Sequence, residues 1–318
     1  MIKEYIKSPL NYTGNKYRIL QQISKKFPKK IDCMVDLFCG GATVGLNVNA
    51  QKVYFIDNNE RVINLLIFLA KQNFDNLMEN LEKLTSEYNL SFSYKYGYAF
   101  YRAQCSNSKD NNGLKEYNSD GYYKLRSYYN GLKDKTTDEA NTLLYLLMVY
   151  AFNNDIRFNS TGEFNLPAGK TDLNKMNVEK IRKYIERVNS IEAEFLCMDF
   201  TSPKMAGILE KADFVYMDPP YLVGDAVYNA TWDSEKEYAL LDFIDNLVEK
   251  KINFALSNVL SKVGKTNEPL SYWCHKNERL VEVTDIEYNY KSASYNKIVR
   301  NAKEREVVIT NKGYNDED

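Results

Sequence analysis

A carboxylate, two prolines and a tyrosine stand together at Asp218-Pro219-Pro220-Tyr221, and these residue types suit the handling of an aminated heterocycle. The Asp218 carboxylate and the Pro219 carbonyl can both accept hydrogen bonds from an exocyclic amine, while the Tyr221 ring can stack on a flat base. The apolar run 214–217 reads as a buried strand, which the two prolines must end. Ligands of open α/β sheets bind at the carboxyl ends of strands, so this tetrapeptide is the candidate catalytic site. A turn in which Asp218 only caps the chain is the alternative.

A glycine-rich turn after another predicted strand indicates a nucleotide-like ligand. Residues 31–37 run as a strand into Gly40 and Gly41, and glycines there allow a tight turn and close approach of a ligand to the backbone. The two glycines are adjacent, unlike those of the dinucleotide fingerprint G-x-G-x-x-G. The next predicted strand, 53–56, ends at Asp57, where an acid can hold ribose hydroxyls. A plain helix N-cap is the other interpretation of Asp57.

A third acid follows a strand at Asp199, and Phe200 comes directly after it. The preceding run 194–198 has the composition of a strand, so this pair also lies at a strand end. An acid and an aromatic ring there could hold an adenine ring and its amine.

The first 30 residues carry eight Lys or Arg against one acid, Glu4. Such a basic face can meet phosphate, or it can be a solvated surface. A Thr-Gly-Asn turn delivers Lys16 and Arg18 at the start of a predicted amphipathic helix, 16–27, and the free N–H groups of a helix start can hold an anion.

The middle of the chain differs from the rest in composition and periodicity. Residues 89–135 are rich in Tyr, Asn, Ser, Gly and Lys with poor periodicity, which predicts an insertion with a possible DNA-contacting surface. In 153–170, the turn 160–162 lies between short alternating segments and predicts a β-hairpin. Arg157 and the neighbouring asparagines match the side chains that read guanine and adenine edges, although a polar hairpin without a ligand is the alternative.

The remaining pattern predicts alternating helices and strands. Helices are expected at 59–71, 74–88, 140–152, 178–189, 203–211 and 235–250, and directly after the glycine-rich turn. Further strands are expected at 252–256, 280–290 (an edge strand) and 305–310, with 259–276 irregular.

Composition limits the classes of protein to which this chain can belong. At 318 residues the chain can form one or two domains, and its net charge of −1 gives no whole-chain argument for nucleic acid. Five cysteines and one histidine, His275, lack metal-ligand spacing, so no metal site is expected and a Cys274–His275 catalytic pair is disfavoured. The odd cysteine count, the absence of a signal-peptide pattern and the absence of any membrane-length apolar run lead us to expect a cytoplasmic protein without a membrane partner.

Taken together, the motif order resembles the DNA adenine methylase (Dam-like) family of N6-adenine-specific DNA methyltransferases, in the α-type order. The motifs that carry the resemblance are Asn11-Tyr12-Thr13-Gly14-Asn15-Lys16, Asp36-Leu37-Phe38-Cys39-Gly40-Gly41, Ile56-Asp57-Asn58, Arg157-Phe158-Asn159 to Gly162-Glu163-Phe164-Asn165-Leu166-Pro167, Asp199-Phe200, Asp218-Pro219-Pro220-Tyr221 and the closing Glu306-Val307-Val308-Ile309-Thr310-Asn311. They span nearly the whole chain.

The resemblance implies an α/β fold: a Rossmann-like S-adenosylmethionine-dependent methyltransferase sheet with an inserted, mostly helical DNA-recognition domain that carries a β-hairpin. The catalytic domain would comprise 1–72 and 171–318, and the recognition domain 73–170 with its hairpin at 153–170. The implied activity is site-specific transfer of a methyl group from S-adenosyl-L-methionine to N6 of a flipped-out adenine in double-stranded DNA. No metal is expected, and a cognate restriction endonuclease is a possible partner.

The resemblance also assigns residues. The implied catalytic residues are Asp218, Pro219 and Tyr221. The implied cofactor-binding residues are Tyr12, Lys16, Asp36, Phe38, Gly40, Gly41, Asp57, Asp199, Phe200 and Asp218, with Lys16 and the glycine turn at the methionine part, Asp57 at the ribose, and Asp199 with Phe200 at the adenine. The implied DNA-binding residues are Asn154, Ile156, Arg157, Asn159, Asn165, Pro167 and Lys170, with Ile156 as a wedge, Arg157 at a guanine and Pro167 near a recognised base.

Two departures from the family pattern leave the DNA target sequence open. The family's Trp/Ala-Gly-Gly-Lys turn is Tyr-Thr-Gly-Asn-Lys here, and the 89–135 segment is long. Two rival functions also stay open: N-methylation of RNA or protein with the same cofactor, and a catalytically silent DNA-binding module.

Overall fold

The computed structural model describes residues 5–11, 14–106, 110–223, 232–287 and 304–312. The strands are β1 (Cys33–Leu37), β2 (Lys52–Asp57), β3 (Glu192–Cys197), β4 (Phe214–Met217), β5 (Asn253–Lys262), β6 (Lys265–Thr266), β7 (Val281–Asp285) and β8 (Arg305–Asn311). The α-helices are α1 (Leu20–Ile23), α2 (Glu60–Ala70), α3 (Phe74–Glu87), α4 (Ser93–Tyr96), α5 (Tyr98–Arg102), α6 (Lys115–Gly131), α7 (Asp138–Tyr150), α8 (Lys175–Asn189), α9 (Met205–Leu209), α10 (Ser234–Glu249) and α11 (Glu268–Lys276). Short 3-10 helices lie at Lys16–Arg18, Ser24–Lys26, Gly45–Asn47 and Phe152–Asn154.

The chain forms two compact units. The sheet unit comprises Lys16–Asn58 and Ile191–Asp318, and the helical unit comprises Met1–Asn15 and Asn59–Ser190. Among the described helices of both units, none is long and apolar enough to cross a membrane.

The sheet unit is built on one mixed sheet with the order β3-β2-β1-β4-β5-β8-β7, and β6 pairs with β5. The five strands β3, β2, β1, β4 and β5 run parallel to one another. Strand β8 runs antiparallel to both of its neighbours, β5 and β7. The chain proceeds outward from β1 to β3 on one side and from β4 to β5 on the other, so the strand order reverses between β1 and β4. This reversal opens a crevice at the carboxyl ends of these two strands, which is where an open α/β sheet binds its ligand. The predicted α/β class is confirmed, and the central sheet is mostly parallel.

The two faces of the central strands differ. Val35 and Leu37 of β1 and Val215 and Met217 of β4 enter an apolar core with side chains of α10 and α11. Because side chains alternate along a strand, their neighbours point to the other face. Asp36 of β1 lies there, and its register partner is Tyr216 of β4 (the residue between the two core residues of that strand). The sheet therefore carries polar side chains on the face opposite α10 and α11, close to the crevice.

The helical unit is organised around α7. Residues Ala140 to Tyr150 of this helix are all buried, and α2 and α6 pack against it. The helix begins at the N-cap Thr137, whose hydroxyl accepts a hydrogen bond from the Ala140 N–H at 3.1 Å. A wholly buried helix of this kind explains why the sequence 140–152 is apolar on every face.

The predicted segment boundaries and the compact units divide the chain differently. Helices α2 and α8 group with the helical unit because they pack on each other and α2 also packs on α7. Within this unit the Tyr184 hydroxyl of α8 donates to the Leu66 carbonyl of α2 at 2.8 Å. Whether 73–170 is a DNA-recognition domain stays a prediction.

Three local predictions are wrong. The helix expected at 16–27 is broken into two 3-10 turns around the four residues of α1, and only the 3-10 turn Gly45–Asn47 follows the glycine-rich loop. The segment 259–276 is regular, because it contains the end of β5, then β6 and α11. Pro269 suggests a break, but it stands in the first turn of α11, where the missing N–H costs no intrahelical bond.

The predicted hairpin at 153–170 forms only in part. Its arms meet at two isolated antiparallel bridges, Ala151 with Ala168 and Phe158 with Phe164, and no continuous strands form. Backbone bonds join the arms around the second bridge, from the Asn159 N–H to the Glu163 carbonyl at 2.9 Å and from the Asn165 N–H to the Arg157 carbonyl at 3.1 Å. Asn130 of α6 binds the backbone groups of Phe164, accepting from its N–H at 2.9 Å and donating to its carbonyl at 3.1 Å. We call residues 151–168 the hairpin segment.

Candidate active site

The Asp218 carboxylate is held from two sides at the carboxyl end of β4. The Lys16 ammonium lies 2.8 Å from Oδ2, and the Tyr221 hydroxyl donates to Oδ1 at 2.9 Å. The same ammonium lies 5.3 Å from the centre of the Tyr221 ring. The Lys16 side chain is 8% exposed and that of Asp218 is 19% exposed, so the pair is only partly screened by water. Cation, carboxylate and ring therefore form one mutually fixed group.

Further polar side chains surround this group, and sequence reasoning did not assign them to the site. The Tyr216 and Ser257 hydroxyl oxygens lie 2.8 Å apart on β4 and β5. Glu306, opposite Val259 in the β5–β8 pair, has a pKa raised by burial, an effect that nearby Lys16 opposes and nearby Asp218 reinforces. The sequence feature that could have identified Glu306 is its position as a lone acid at the start of the apolar strand β8.

The turn after β1 is shaped by left-handed backbone and by a carboxylate. Phe38, Gly40 and Ala42 have φ of 61°, 47° and 64°, which curls the chain back on itself. The Asp57 Oδ2 atom at the end of β2 accepts the Gly40 N–H at 2.9 Å. Asp57 thus fixes the loop predicted to contact the cofactor, and the buried Gly41 lies within the same turn.

Asp36 anchors the far side of this turn. Its Oδ2 atom accepts the Gly45 N–H at 2.8 Å, and a Cβ on Gly45 would lie 2.5 Å from the Phe55 ring, so only glycine fits. Burial raises the pKa of Asp36 to about 8, and the nearby negative charges of Asp218 and Asp57 add to the rise. The negative charges of Asp57 and Asp218 make this part of the site suited to a positively charged ligand.

The aromatic residues predicted to bind the cofactor lie together. The rings of Phe38 and Phe200 have centres 5.4 Å apart, and Phe200 is 4% exposed because Trp232 and Phe243 also pack on it. Asp199 is exposed and accepts from the N–H and hydroxyl of Thr201 at 2.9 and 2.7 Å. Tyr12 lies outside the described residues.

In the helical unit, the hairpin segment holds its predicted recognition side chains in fixed positions. The Arg157 Nε atom donates to Asn165 Oδ1 at 2.8 Å, which orients an exposed guanidinium. The Asn159 Oδ1 atom accepts from the Thr161 and Glu163 N–H groups at 3.1 and 2.8 Å, so this side chain builds the turn. Asn159 therefore supports the tip of the segment through its carbonyl oxygen.

Helix α6 supports the returning arm of the segment along one face. Tyr122, Arg126 and Asn130 stand four residues apart and so lie on one side of the helix. The Tyr122 hydroxyl and the Arg126 guanidinium both donate to the Leu166 carbonyl at 2.9 Å, and Asn130 binds both backbone groups of Phe164. The segment 89–135, predicted to be poorly periodic, thus contains the helix that fixes the hairpin segment.

Helix α2 holds the tip of the segment. The Arg61 guanidinium donates to the Gly162 carbonyl at 2.9 Å and its Cζ atom lies 3.8 Å from the centre of the Phe158 ring. Sequence reasoning missed this residue, since an arginine in the first turn of a helix carries no sign of a partner a hundred residues away.

The other predicted DNA-binding residues differ in exposure. The Asn154 side chain is turned inward, donating to the Val149 carbonyl and to Thr171 Oγ1. Ile156 is half-buried, and Pro167 and Lys170 are exposed.

The amino-acid sequence is similar to those of known DNA adenine methyltransferases. The sequence profile of the D12 class N6 adenine-specific DNA methyltransferases matches residues 12–291. The chain is 35% identical over 315 residues to the type II methyltransferase M.FokI of Planomicrobium okeanokoites and 32% identical over 317 residues to the modification methylase StsI of Streptococcus sanguinis, with 96% and 97% of the chain aligned. It spans only 43% of the length of each. It is also 27% identical to a DNA adenine methylase of Haemophilus influenzae, over 78% of each sequence.

The raised pKa of Asp36 predicts a specific pH dependence of stability. Between the ordinary pKa of 3.8 and the folded-state value of about 8, the folded protein binds a proton that the unfolded chain has released. The Asp36 contribution to the free energy of unfolding is therefore full below pH 4 and is lost as pH rises through 8. Asp36→Asn keeps an acceptor for the Gly45 N–H without this proton, so its stability relative to wild type should rise with pH.

Urea unfolding of both proteins between pH 5 and 9 measures this difference. Asp213→Asn is the matched control, because the exposed Asp213 carboxylate also accepts backbone N–H groups, those of Asp32 and Cys33. Parallel wild-type and Asp36→Asn stability curves across this range would contradict the assignment.

Proposed function

Since the chain belongs to the D12 class of N6 adenine-specific DNA methyltransferases, we propose that it methylates N6 of adenine in double-stranded DNA with S-adenosylmethionine. The observation that carries the proposal is the Asp218 group at the point where the strand order reverses. There the Asp218 carboxylate follows β4 and is held by the Lys16 ammonium and by the hydroxyl of Tyr221, whose ring lies beside it.

The residues around the β1 turn fit this cofactor. S-adenosylmethionine supplies a methyl group on a positively charged sulfur. The negative charges of Asp57 and Asp218 favour a cationic ligand, and the curled glycine turn brings backbone close to it. We assign Lys16, Gly40 and Gly41 to the methionine part and Asp57 to the ribose.

The adenine part of the cofactor would meet the aromatic residues. The half-buried Phe38 offers apolar ring surface beside the end of β1, and the buried Phe200 packs against it. Asp199 lies exposed next to Phe200. An exposed carboxylate can accept from an exocyclic amine while the rings bury the base.

The target base must leave the duplex, because the N6 amine cannot be reached inside the stack. The Tyr221 ring is oriented by its own hydroxyl bond to Asp218, so it presents a fixed platform for stacking. A carboxylate offers about four lone-pair positions, so Asp218 can accept from the amine while it keeps Lys16 and Tyr221. Together with the Pro219 carbonyl it would aim the nitrogen lone pair at the methyl group.

Lys16 acts on the reaction through Asp218. A carboxylate that is only 19% exposed needs a counter-charge, and the ammonium 2.8 Å away provides it. Fixed charges in a site shielded from water need no rearrangement during the reaction, which is the main way such a site lowers a barrier.

We also propose that the helical unit contains the DNA-recognition segment. The oriented guanidinium of Arg157 suits the O6 and N7 acceptors of a guanine. The preceding, half-buried Ile156 would serve as an apolar wedge. Asn165 holds Arg157, and Pro167 and Lys170 present exposed surface on the returning arm. Asn154 and Asn159 shape the segment rather than read bases.

The names of the two similar modification enzymes suggest a biological setting. A type II methyltransferase and a modification methylase protect sites from cleavage, so we propose that a restriction endonuclease with the same recognition site accompanies this chain.

Asp218→Ala should abolish methyl transfer because it removes the acceptor for the N6 amine. We expect the rate of transfer to duplex DNA to fall by about 10²-fold or more, while S-adenosylhomocysteine still binds. Tritium transfer from labelled S-adenosylmethionine measures the first quantity and calorimetry the second. Asp242→Ala, which removes an exposed acid of α10, is the control and should stay active; an active Asp218→Ala would overturn the assignment.

Arg157→Ala should relax base choice at one position of the recognition site by about 1–3 kcal/mol, the value of one bidentate contact to guanine. Methylation of an oligonucleotide library, read by sequencing, gives the preference at each position. An unchanged preference with uniformly lower affinity would show that Arg157 contacts only phosphate.

Asn130→Ala should disorder the hairpin segment without touching the cofactor site. The buried Phe164 would lose partners for both of its backbone groups, at a cost of about 1–3 kcal/mol. We expect weaker DNA binding with unchanged affinity for S-adenosylhomocysteine. Ser127→Ala on the exposed side of α6 is the control, and equal DNA binding by both variants would contradict the supporting role of α6.

A further inference from the structure

A buried carboxylate in the sheet unit fixes the indole of Trp232. Glu237, on the first turns of α10, is 0% exposed. Its Oε2 atom accepts the Trp232 Nε1–H at 2.6 Å, and its Oε1 atom accepts from Asn267 Nδ2 at 2.7 Å. Asn267 is itself fixed, since its side-chain oxygen caps α11 through the Leu270 N–H at 3.2 Å. Burying a carboxylate is costly, and here both oxygens are occupied in holding one ring and one cap.

The ring held in this way packs on both aromatic residues assigned to the cofactor adenine. The Trp232 ring centre lies 5.7 Å from that of Phe38, edge to face, and 5.9 Å from that of Phe200. Phe38 and Phe200 lie 5.4 Å apart, so the three rings contact one another pairwise. Phe38 also has a positive φ of 61°, a conformation that a bulky residue keeps only when its surroundings enforce it.

We propose that Trp232 and Glu237 are positioning residues for the adenine of the cofactor. Trp232 packs against the two phenylalanine rings and holds them in place. Glu237 fixes the orientation of the indole by accepting its N–H. The inference rests on the proposed function, because it concerns the adenine subsite of S-adenosylmethionine. It adds two residues that neither the sequence motifs nor the family resemblance assigned to the cofactor.

The chain contains an internal control for a purely structural role. Its second tryptophan, Trp273, is 5% exposed and donates its Nε1–H to Asp245 of α10 at 2.8 Å. Trp232 and Trp273 thus each donate to an acid of the same helix, and both belong to the same apolar core. Of the two, Trp232 is the one with described ring contacts to Phe38 and Phe200. If the tryptophans matter only for packing, replacing either should have similar consequences.

The test compares Trp232→Phe, Glu237→Gln and Trp273→Phe by calorimetric titration with S-adenosylhomocysteine. Trp232→Phe keeps an aromatic ring but removes the N–H. Glu237→Gln leaves a single side-chain oxygen, although the N–H groups of Trp232 and Asn267 each need an acceptor. We expect the dissociation constant to rise about three- to tenfold in these two variants, the scale of a displaced aromatic contact. Trp273→Phe should bind within about twofold of wild type on the same scale. The KM for DNA should be unchanged in all three.

Fluorescence supplies a second readout, because the chain has two tryptophans. Trp273→Phe leaves Trp232 as the sole tryptophan, whose emission should change when S-adenosylhomocysteine binds. Trp232→Phe leaves Trp273, whose emission should not change. If Trp232→Phe fails to fold, Glu237→Gln and the emission of Trp273→Phe decide the question.

Equal affinities of Trp232→Phe and Trp273→Phe, with no ligand-dependent emission from Trp232, would overturn the inference while the proposed function stands. A wild-type protein that binds neither S-adenosylhomocysteine nor S-adenosylmethionine would overturn both.

Discussion

The site depends on one electrostatic arrangement, the Asp218 carboxylate held between the Lys16 ammonium and the Tyr221 hydroxyl. An acid at this depth is tolerated only with a counter-charge and satisfied lone pairs. The parallel strands supply the place, because the reversal of strand order beside β4 leaves a crevice there. The two prolines supply the direction, since they end the strand and fix the backbone that carries the acid and the ring. Chemistry at this point thus follows from strand order, a rigid turn and one ion pair.

Buried polar side chains also fix loops elsewhere in the molecule. In the sheet unit, Asp36 and Asp57 each accept one backbone N–H of the turn after β1, and Glu237 holds Trp232. In the helical unit, Asn130 binds both backbone groups of Phe164. In each case a side chain fixes a loop whose backbone groups have no regular partner, which is how irregular segments become rigid enough to bind ligands.

The parts of this account that could be predicted from sequence are those encoded locally. The Asp-Pro-Pro-Tyr turn, the buried strand that precedes it and the acid at the end of β2 are all contiguous patterns. The wrong and missed parts depend on distant contacts. Pro269 made the sequence around it look irregular, although it lies in the first turn of a helix that Asn267 caps. The four-residue spacing of Tyr122, Arg126 and Asn130 becomes informative only when residues 164–166 are known to lie against α6. Glu306 and Trp232 likewise gain their surroundings from strands and helices far away in the chain.

The most direct test of the central claim is to incubate the protein with tritium-labelled S-adenosylmethionine and unmethylated duplex DNA. The product nucleosides are then separated, and the modified positions are mapped by sequencing. The account predicts label in N6-methyladenine at one short sequence motif. Label in cytosine, or label in RNA or protein with none in duplex DNA, would contradict it.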